Sequence, residues 1–457
     1  MADPSPAPAP VASLAAARDW PRTTRVLPWL AAALIAMLFL VPIDSVTLAV
    51  PLPFDARPDR VLLVLAFVTW LLALAVRGSD QPAGDRHRYG GVELAIFAFV
   101  GLAVLSVALH APALEALQEA SGAVKRLVLL ASYVAFYLFI VANVRPSEVP
   151  AFVGLVIALA AVTAAGILVE YATGFNVFFW AAGAFAPPGT SVASDAGIVA
   201  PGGRPDITGP ARHGLAACAL LAMALPLAIA GSAFAPGRRQ RILSTLAALV
   251  LLVGSVATIR RSGVVLPFVA SSALILFGGR RLAPVAVGFV ALVVALPVLA
   301  PGVLDELVAQ FSGNNVAAQR SVGGRTSDYA AVWPDIRHGA LLGRGFGTYD
   351  AARYRFLDNQ FLGLAIGMGF VGLTAFLAML LGAAGSALRL GLRRQGASSW
   401  LGLAVFGSIL SFLVANALFD ALAFPHAPYG FFLLAALTAS ARRRVVSASS
   451  SPTKAAA

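Results

Sequence analysis

The chain has 457 residues, of which 59% are hydrophobic and only 12% are charged, and its mean hydropathy is +0.84. A soluble domain carries about 25% charged residues, so this composition predicts an integral membrane protein. The formal net charge of +12 does not indicate nucleic-acid binding, because the basic residues form short clusters at the ends of apolar runs. Cys218 is the only cysteine, which excludes an internal disulfide and a thiolate metal cluster.

The first 25 residues are rich in Pro and Ala, and we predict that they are disordered. No small-residue cleavage site follows the first apolar run, so we expect a retained helix there and not a signal peptide. A membrane-spanning helix needs about 20 apolar residues. About twelve segments meet or approach that length, which predicts an all-α integral membrane fold. These segments are 26–43, 60–77, 92–110, 126–142, 150–170, 212–232, 241–258, 263–278, 282–300, 359–382, 399–418 and 424–440.

The placement of Lys and Arg predicts the orientation of these helices. Short basic connections alternate with longer, more acidic ones, which is the distribution that the positive-inside rule describes. Both termini are then cytoplasmic, and the two long loops face outward. The predicted division of the chain is a cytoplasmic N-terminus (1–25), helices one to nine (26–300, with an outward loop at about 171–211), a large extracytoplasmic loop (301–358), helices ten to twelve (359–440) and a cytoplasmic tail (441–457).

The loop 301–358 is too long to be a simple connection, because connections between packed helices are usually short. The outward segments hold many arginines and one lysine, Lys125. The rigid fork of arginine suits bidentate binding of phosphate, so we predict that this surface binds an anionic lipid headgroup such as a polyprenyl diphosphate. The alternative is that these arginines are solvated or paired with nearby acids.

Two groups of polar residues lie at predicted helix ends on the outer side. Arg260 and Arg261 interrupt two apolar segments, where arginines are usually functional, although a tight turn with both side chains reaching the headgroups is the alternative. Arg204, Arg212 and His213 lead into the sixth helix, and there a functional and a structural role are equally open.

Two further groups lie in or after the large loop. The glycines around Arg344 favour close backbone approach and suggest an amide nest for an anion. Asp358 and Asn359 open the tenth helix, where Asp is commonly an N-cap but is also suited to act as a general base beside arginines. No spacing of His, Cys, Asp or Glu indicates a metal site, and no nucleotide-binding motif is present, so we expect neither a metal nor a cofactor.

Three sequence elements form a set of motifs. They are Arg260-Arg261-Ser262-Gly263 after a helix, Gly324-Arg325 before Trp333 and Leu342-Gly343-Arg344-Gly345, and Asn359 followed after a nine-residue gap by Gly369 and then Gly372. Together they resemble the motifs of a known family, the O-antigen ligase and O-antigen polymerase superfamily of bacterial membrane glycosyltransferases, which have the C-type (GT-C) architecture. Asp358 stands where the ligases have histidine, which favours a polymerase over a ligase.

The resemblance implies transfer of a glycan from polyprenyl (undecaprenyl) diphosphate to an acceptor sugar hydroxyl, at the periplasmic or exterior face of the cytoplasmic membrane. Arg261 and Arg325 would stabilise the leaving diphosphate, and Asp358 would orient or deprotonate the acceptor. Four further arginines would bind the diphosphate, and three residues are secondary candidates. The arginines are Arg204, Arg212, Arg260 and Arg344, and the secondary candidates are His213, His338 and Asn359.

The same resemblance implies as partners the lipid-linked glycan, an acceptor glycan or glycolipid, membrane lipids, a flippase and a chain-length regulator. A secondary transporter is the main rival interpretation, since it too can have twelve helices. Transporters, however, place their ionisable residues near the bilayer midplane, whereas here these residues gather at the outer surface. A catalytically inactive, glycan-binding relative is the third interpretation.

Overall fold

The computed structural model describes residues 26–48, 56–77, 90–186, 188–193, 206–278, 329–350, 353–393 and 396–449. Within these ranges, eight helices are long and apolar enough to cross a membrane, by length and composition. The chain is thus a mostly helical, multi-pass membrane protein, as its composition predicts. Eleven of the twelve predicted apolar segments coincide with a helix, and segment 282–300 lies outside the described residues, so the total number of spans stays a prediction.

The described elements are fourteen helices, two short strands and one 3-10 turn. They are α1 (Val26–Leu40), β1 (Val46–Leu48), α2 (Pro58–Arg77), α3 (Gly91–Leu109), α4 (Ala111–Ala116), α5 (Ala120–Asn143), α6 (Val149–Thr173), α7 (Val177–Ala184), β2 (Thr190–Val192), α8 (Gly214–Phe234), α9 (Arg238–Ala257), α10 (Ser262–Gly278), α11 (329–338), α12 (Gln360–Leu392), α13 (Gly396–Leu418), the 3-10 turn (Ala421–Ala423) and α14 (His426–Ser449).

Helix α8 forms the centre of the bundle. It is apolar on all sides, and every residue from Ala216 to Ala230 is buried, as expected of a helix without a polar face. Helix α2 lies at the periphery and exposes Val64, Leu72 and Val76. In a membrane-spanning bundle, such an apolar outer face contacts lipid.

The described candidate site residues lie toward one end of the bundle, which we call the outer end because the charge distribution predicts that it faces outward. A two-stranded antiparallel sheet lies at this end and pairs Val46 with Val192 and Leu48 with Thr190. Neither strand nor helix α7 is predicted from the sequence. Strand β2 and α7 lie within 171–211, the predicted outward loop, and β1 lies between the first two predicted helices. Strands of three residues carry too little periodicity to be recognised in a sequence.

The described part of the large loop includes a helix. Helix α11 packs on the first turns of α12, and its buried residues Val332 and Ile336 contact Leu357, Ala365 and Ile366. The loop therefore rests on the bundle directly beside the start of α12.

Helix α12 is broken at Gly369, whose backbone has φ 64° and ψ −168°, a combination that only glycine adopts readily. The break exposes two backbone carbonyls on one side and two N–H groups on the other, and the loop segment 340–345 satisfies all four. We call this arrangement the glycine interlock. Its hydrogen bonds run from Arg344 N to Ile366 O (3.0 Å), from Gly345 N to Gly367 O (2.8 Å), from Phe370 N to Ala340 O (2.8 Å) and from Val371 N to Leu341 O (3.3 Å).

The interlock requires glycine on both sides. A Cβ on Gly343, which has φ 68°, would lie 2.3 Å from the carbonyl carbon of Gly367, and a Cβ on Gly369 would lie 2.3 Å from that of Leu341. The two glycine motifs found separately in the sequence therefore meet in space. The amide nest proposed for an anion is wrong for Arg344 and Gly345, because their N–H groups donate to α12.

Candidate functional site

A cavity of about 260 Å³ opens at the outer end of the bundle. Its walls come from the N-terminal ends of α5, α8 and α12, from the segment before α12, and from the 3-10 turn between α13 and α14. Six Asp, Arg and His side chains contribute to its lining. They are Arg126, His213, Asp350, Arg355, Asp358 and Asp420.

Asp358 and Asn359 both line this cavity, but only Asn359 is the N-cap of α12. The Asn359 Oδ1 atom accepts hydrogen bonds from the N–H groups of Phe361 (2.9 Å) and Leu362 (3.3 Å), and Nδ2 donates to the Tyr329 hydroxyl at 3.1 Å. The N-cap role considered for Asp358 therefore belongs to its neighbour. Asp358 is held at a fixed point by the capped helix that follows it, with its side chain in the cavity wall.

His213 is the N-cap of α8 and the third predicted residue in the cavity. Its Nδ1 atom accepts a hydrogen bond from the N–H of Leu215 at 3.2 Å, so the neutral ring carries its proton on Nε2. Burial and the nearby charge of Arg260 lower the pKa of His213, against opposing contributions from acids that include Asp358. The imidazole is thus neutral at pH 7 and presents a donor.

The segment that leads into α8 is fixed by a buried carboxylate on α6. Glu170 accepts hydrogen bonds from the N–H groups of Thr208 (3.1 Å) and Gly209 (2.8 Å) and from Asn176 Nδ2 (3.0 Å). Only 5% of Glu170 is exposed. Because a buried carboxylate is stable only with such donors, this anchor sets where Asp206 and His213 can lie on either side of it.

Arg260 lies beside His213 and forms an ion pair with Asp206. Its Nη2 atom is 2.6 Å from Asp206 Oδ1, and the carboxylate side chain is 3% exposed. The turn that holds Arg260 is strained, because Ile259 has φ +54°, which is rare for a β-branched residue. Strained backbone of this kind concentrates at functional sites. Arg260 is therefore held in a defined position, but the Asp206 carboxylate already neutralises its charge.

Arg261 directly precedes α10 and is half-buried, and its carbonyl accepts a hydrogen bond from the N–H of Val265 at 3.0 Å. Arg212 is exposed, and its backbone N–H donates to Asp44 Oδ2 at 2.9 Å. Neither residue lines the cavity. Both stand at the outer end of the bundle, where Arg261 follows Arg260 and Arg212 precedes His213 in the sequence.

Arg344 and His338 lie elsewhere. Arg344 Nη2 donates to Glu119 Oε2 at 2.8 Å, and the guanidinium stacks over the ring of Tyr354 at 4.3 Å. His338 is exposed on α11. Neither lines the cavity. The predicted residues Arg204 and Arg325 lie outside the described residues.

Four charged residues of the cavity were not among the predicted site residues, namely Arg126, Asp350, Arg355 and Asp420. Arg126 Nη1 on α5 lies 3.9 Å from Asp420 Oδ2, in the connection between α13 and α14. The Asp420 side chain is 38% accessible. Burial of its carboxyl raises the pKa of Asp420, and the positive charge of Arg126 opposes this rise. One signal was present in the sequence, since Asp420 is the only acid after Asp358.

In the described part of the chain, no three His, Cys, Asp or Glu side chains gather closely enough to hold a metal ion. The site is therefore characterised by its carboxylates, its arginines and one neutral histidine.

One family comparison bears directly on these residues. A family model described as O-antigen ligase matches residues 246–377, which is less than a third of the chain. The match contains the Arg260-Arg261 turn, the glycine interlock and Asp358. A search of curated proteins found no significant match. Residues 246–377 are thus similar to the O-antigen ligase family, and this match confirms the resemblance predicted from the motifs.

Proposed function

We propose that this protein polymerises a surface polysaccharide, by transferring a polyprenyl-diphosphate-linked glycan to an acceptor sugar hydroxyl at the outer face of the cytoplasmic membrane. The observation that carries the proposal is the position of Asp358 in the cavity wall, at the end of the family-matched region. A GT-C-like catalytic arrangement, in which the membrane helices hold a site at their outer end, agrees with this placement.

The charges of the cavity favour sugar binding. Its described lining has three aspartates and two arginines, so it lacks the excess positive charge that a diphosphate requires. Sugar hydroxyls both donate and accept hydrogen bonds, and mixed acidic and basic side chains satisfy them well. We therefore assign the cavity to glycan.

The diphosphate then belongs on the side of the cavity that His213 lines. Asp206 already neutralises Arg260, so we assign the phosphate contacts to Arg261 and Arg212 beside it, because arginine is the side chain best suited to bidentate phosphate contacts. Arg325 and Arg204, named from the sequence, are proposed to complete this group. Their charge would stabilise the negative charge that develops on the leaving diphosphate.

The reaction balances with these residues alone. Asp358 accepts the proton of the acceptor hydroxyl, whose oxygen forms a bond to the anomeric carbon of the lipid-linked sugar. The bond from that carbon to the phosphate oxygen breaks, and its electron pair leaves with the diphosphate. His213 donates a hydrogen bond from Nε2 to a substrate oxygen, because its Nδ1 already accepts from Leu215.

The second candidate is an O-antigen ligase, in which the acceptor is a glycolipid or another molecule. The presence of a histidine in the cavity favours it, since ligases of this family carry histidine where Asp358 stands. Against it, the capping bond at Nδ1 leaves His213 with a donor where a general base needs an acceptor. The choice of Asp358 as base therefore favours the polymerase.

The test is the length distribution of surface glycan on a gel, in a deletion strain that expresses wild-type protein, Asp358→Asn or Asp358→Glu. Asn preserves the shape of the side chain and cannot accept the proton. For a polymerase, we expect single-repeat glycan in the deletion strain, a full ladder with wild type, no ladder with Asp358→Asn and a partial ladder with Asp358→Glu.

Full-length chains that accumulate on the lipid carrier in the deletion strain would identify a ligase instead. A deletion strain with an unchanged glycan profile would overturn both transferase assignments and favour a transporter. Equal membrane levels of the variants, measured by immunoblot, exclude loss of protein as the cause.

A further inference from the structure

Three side chains form a continuous stack beside the cavity. The Arg344 guanidinium lies 4.3 Å from the centre of the Tyr354 ring. The Tyr354 ring stacks on Tyr349, with centres 5.1 Å apart and planes inclined by 23°. Tyr349 in turn lines the cavity. We call this group the tyrosine stack. Cation–π and ring-stacking contacts in series hold each member in a defined plane.

A buried acid anchors the stack at its far end. The Glu119 side chain is 5% exposed. Its carboxylate accepts hydrogen bonds from Arg344 Nη2 at 2.8 Å and from the Tyr354 hydroxyl, and it lies 3.6 Å from Arg353 Nη1. Three partners on one buried carboxylate make this a rigid attachment of the large loop to the connection between α4 and α5.

This anchoring changes the interpretation of Arg344. Its charge is shared by Glu119 and Tyr354, so binding a diphosphate would leave Glu119 buried with fewer partners, and this loss is costly. Arg344 is therefore better suited to holding the ring of Tyr354 than to holding a substrate phosphate. The stack then ends at a tyrosine ring in the wall of a cavity whose charges suit a glycan.

We propose that Tyr349 is a sugar-binding platform, whose ring packs against the C–H face of a pyranose of the glycan, and that Glu119, Arg344 and Tyr354 are positioning residues for it. This inference rests on the proposed function for the nature of the ligand. A pyranose ring has one apolar face, and an aromatic ring held in a fixed plane matches it at little entropic cost. The sugar is either the terminal residue of the acceptor or the first sugar of the donor.

The first experiment measures glycan binding by full-length protein in lipid nanodiscs. The probe is the glycan released by mild acid from the lipid carrier that accumulates in the deletion strain. We expect Tyr349→Ala to weaken binding by about tenfold and Tyr349→Phe, which keeps the ring, to change it by less than about twofold. Phe185→Ala is the control, because Phe185 is 79% exposed at the end of α7 and does not line the cavity.

The second experiment separates positioning from phosphate binding. If Arg344 acts through Tyr349, Arg344→Ala weakens glycan binding, Arg344→Lys restores it only in part, and the double variant with Tyr349→Ala binds no worse than Tyr349→Ala alone. Binding of undecaprenyl diphosphate without glycan stays unchanged in all three. Additive losses, or weaker binding of undecaprenyl diphosphate, would overturn the positioning role of Arg344.

The third experiment identifies the sugar. In transfer of the lipid-linked glycan to the released glycan, an increase of KM for the released glycan in Tyr349→Ala assigns the platform to the acceptor. An increase of KM for the lipid-linked glycan alone assigns it to the donor. If Tyr349→Ala binds glycan as wild type does, and its KM values for the released glycan and the lipid-linked glycan both equal those of wild type, the platform is overturned. A wild-type protein that binds glycan through Tyr349 but transfers none would overturn the proposed function and leave the platform standing.

Discussion

The glycine interlock makes a quantitative prediction for Gly369→Ala. Alanine at φ 64°, ψ −168° costs about 1–3 kcal/mol, since this backbone conformation is essentially restricted to glycine. The added Cβ would lie 2.3 Å from the Leu341 carbonyl carbon, so the loop must move away from the break. Loss of the two nearest hydrogen bonds, which Phe370 and Val371 donate, adds about 1 kcal/mol each. We expect a total destabilisation of about 3–5 kcal/mol.

The matched control is Gly382→Ala on the same helix, where a Cβ would meet nothing within 4 Å. This substitution is expected to stabilise α12 slightly, because alanine has the higher helix propensity. The assay is thermal unfolding of purified protein in detergent, followed by size-exclusion chromatography, together with glycan transfer. A lower Tm and lost transfer for Gly369→Ala, with both intact for Gly382→Ala, are the expected results. Equal Tm values for the two variants would refute the interlock.

Three further predictions concern the cavity and its supports. Arg261→Ala and Arg325→Ala should each abolish glycan transfer in membrane preparations but leave membrane insertion intact, and wild-type transfer in both would contradict the diphosphate assignment. Folding lowers the pKa of His213 from 6.5, so the unfolded chain binds the proton more readily and stability should fall as the pH drops below about 6.5. The Tm measured from pH 8 to pH 5 should fall less steeply in His213→Asn, which keeps the N-cap. Glu170→Ala should lower Tm through loss of three hydrogen bonds of about 1 kcal/mol each, and a Tm equal to that of wild type would show that the 206–210 segment does not depend on it.

The sequence was sufficient to predict the elements that depend on composition. Helix α8 is recognisable because it is apolar on all sides, and the apolar run that predicts α12 begins at its true start. Its end was predicted at 382, whereas the helix continues to Leu392. At about 1.5 Å per residue, 33 residues span about 50 Å, which exceeds the hydrocarbon core, so the last turns need not be apolar.

The sequence does not show which arginine pairs with which acid. Arg344 and Glu119 are 225 residues apart in the chain, yet they form a hydrogen-bonded ion pair. Arg260 and Asp206 meet in the same way across two helices. The general alternative, that outward arginines pair with acids, is correct for these two arginines, although their partners are distant in the sequence. Only the packing of the helices determines which arginines are neutralised locally.

The motifs that carry the resemblance build the frame of the candidate site. Gly343 and Gly369 hold the loop against the broken helix, Asn359 caps the first half of that helix, and together they determine where Asp358 lies. On the proposed function, aspartate at position 358 in place of the histidine of the ligases changes the chemistry of the site within the same frame. We therefore expect polymerases and ligases to differ in the side chain at 358 and in the cavity wall that includes Tyr349.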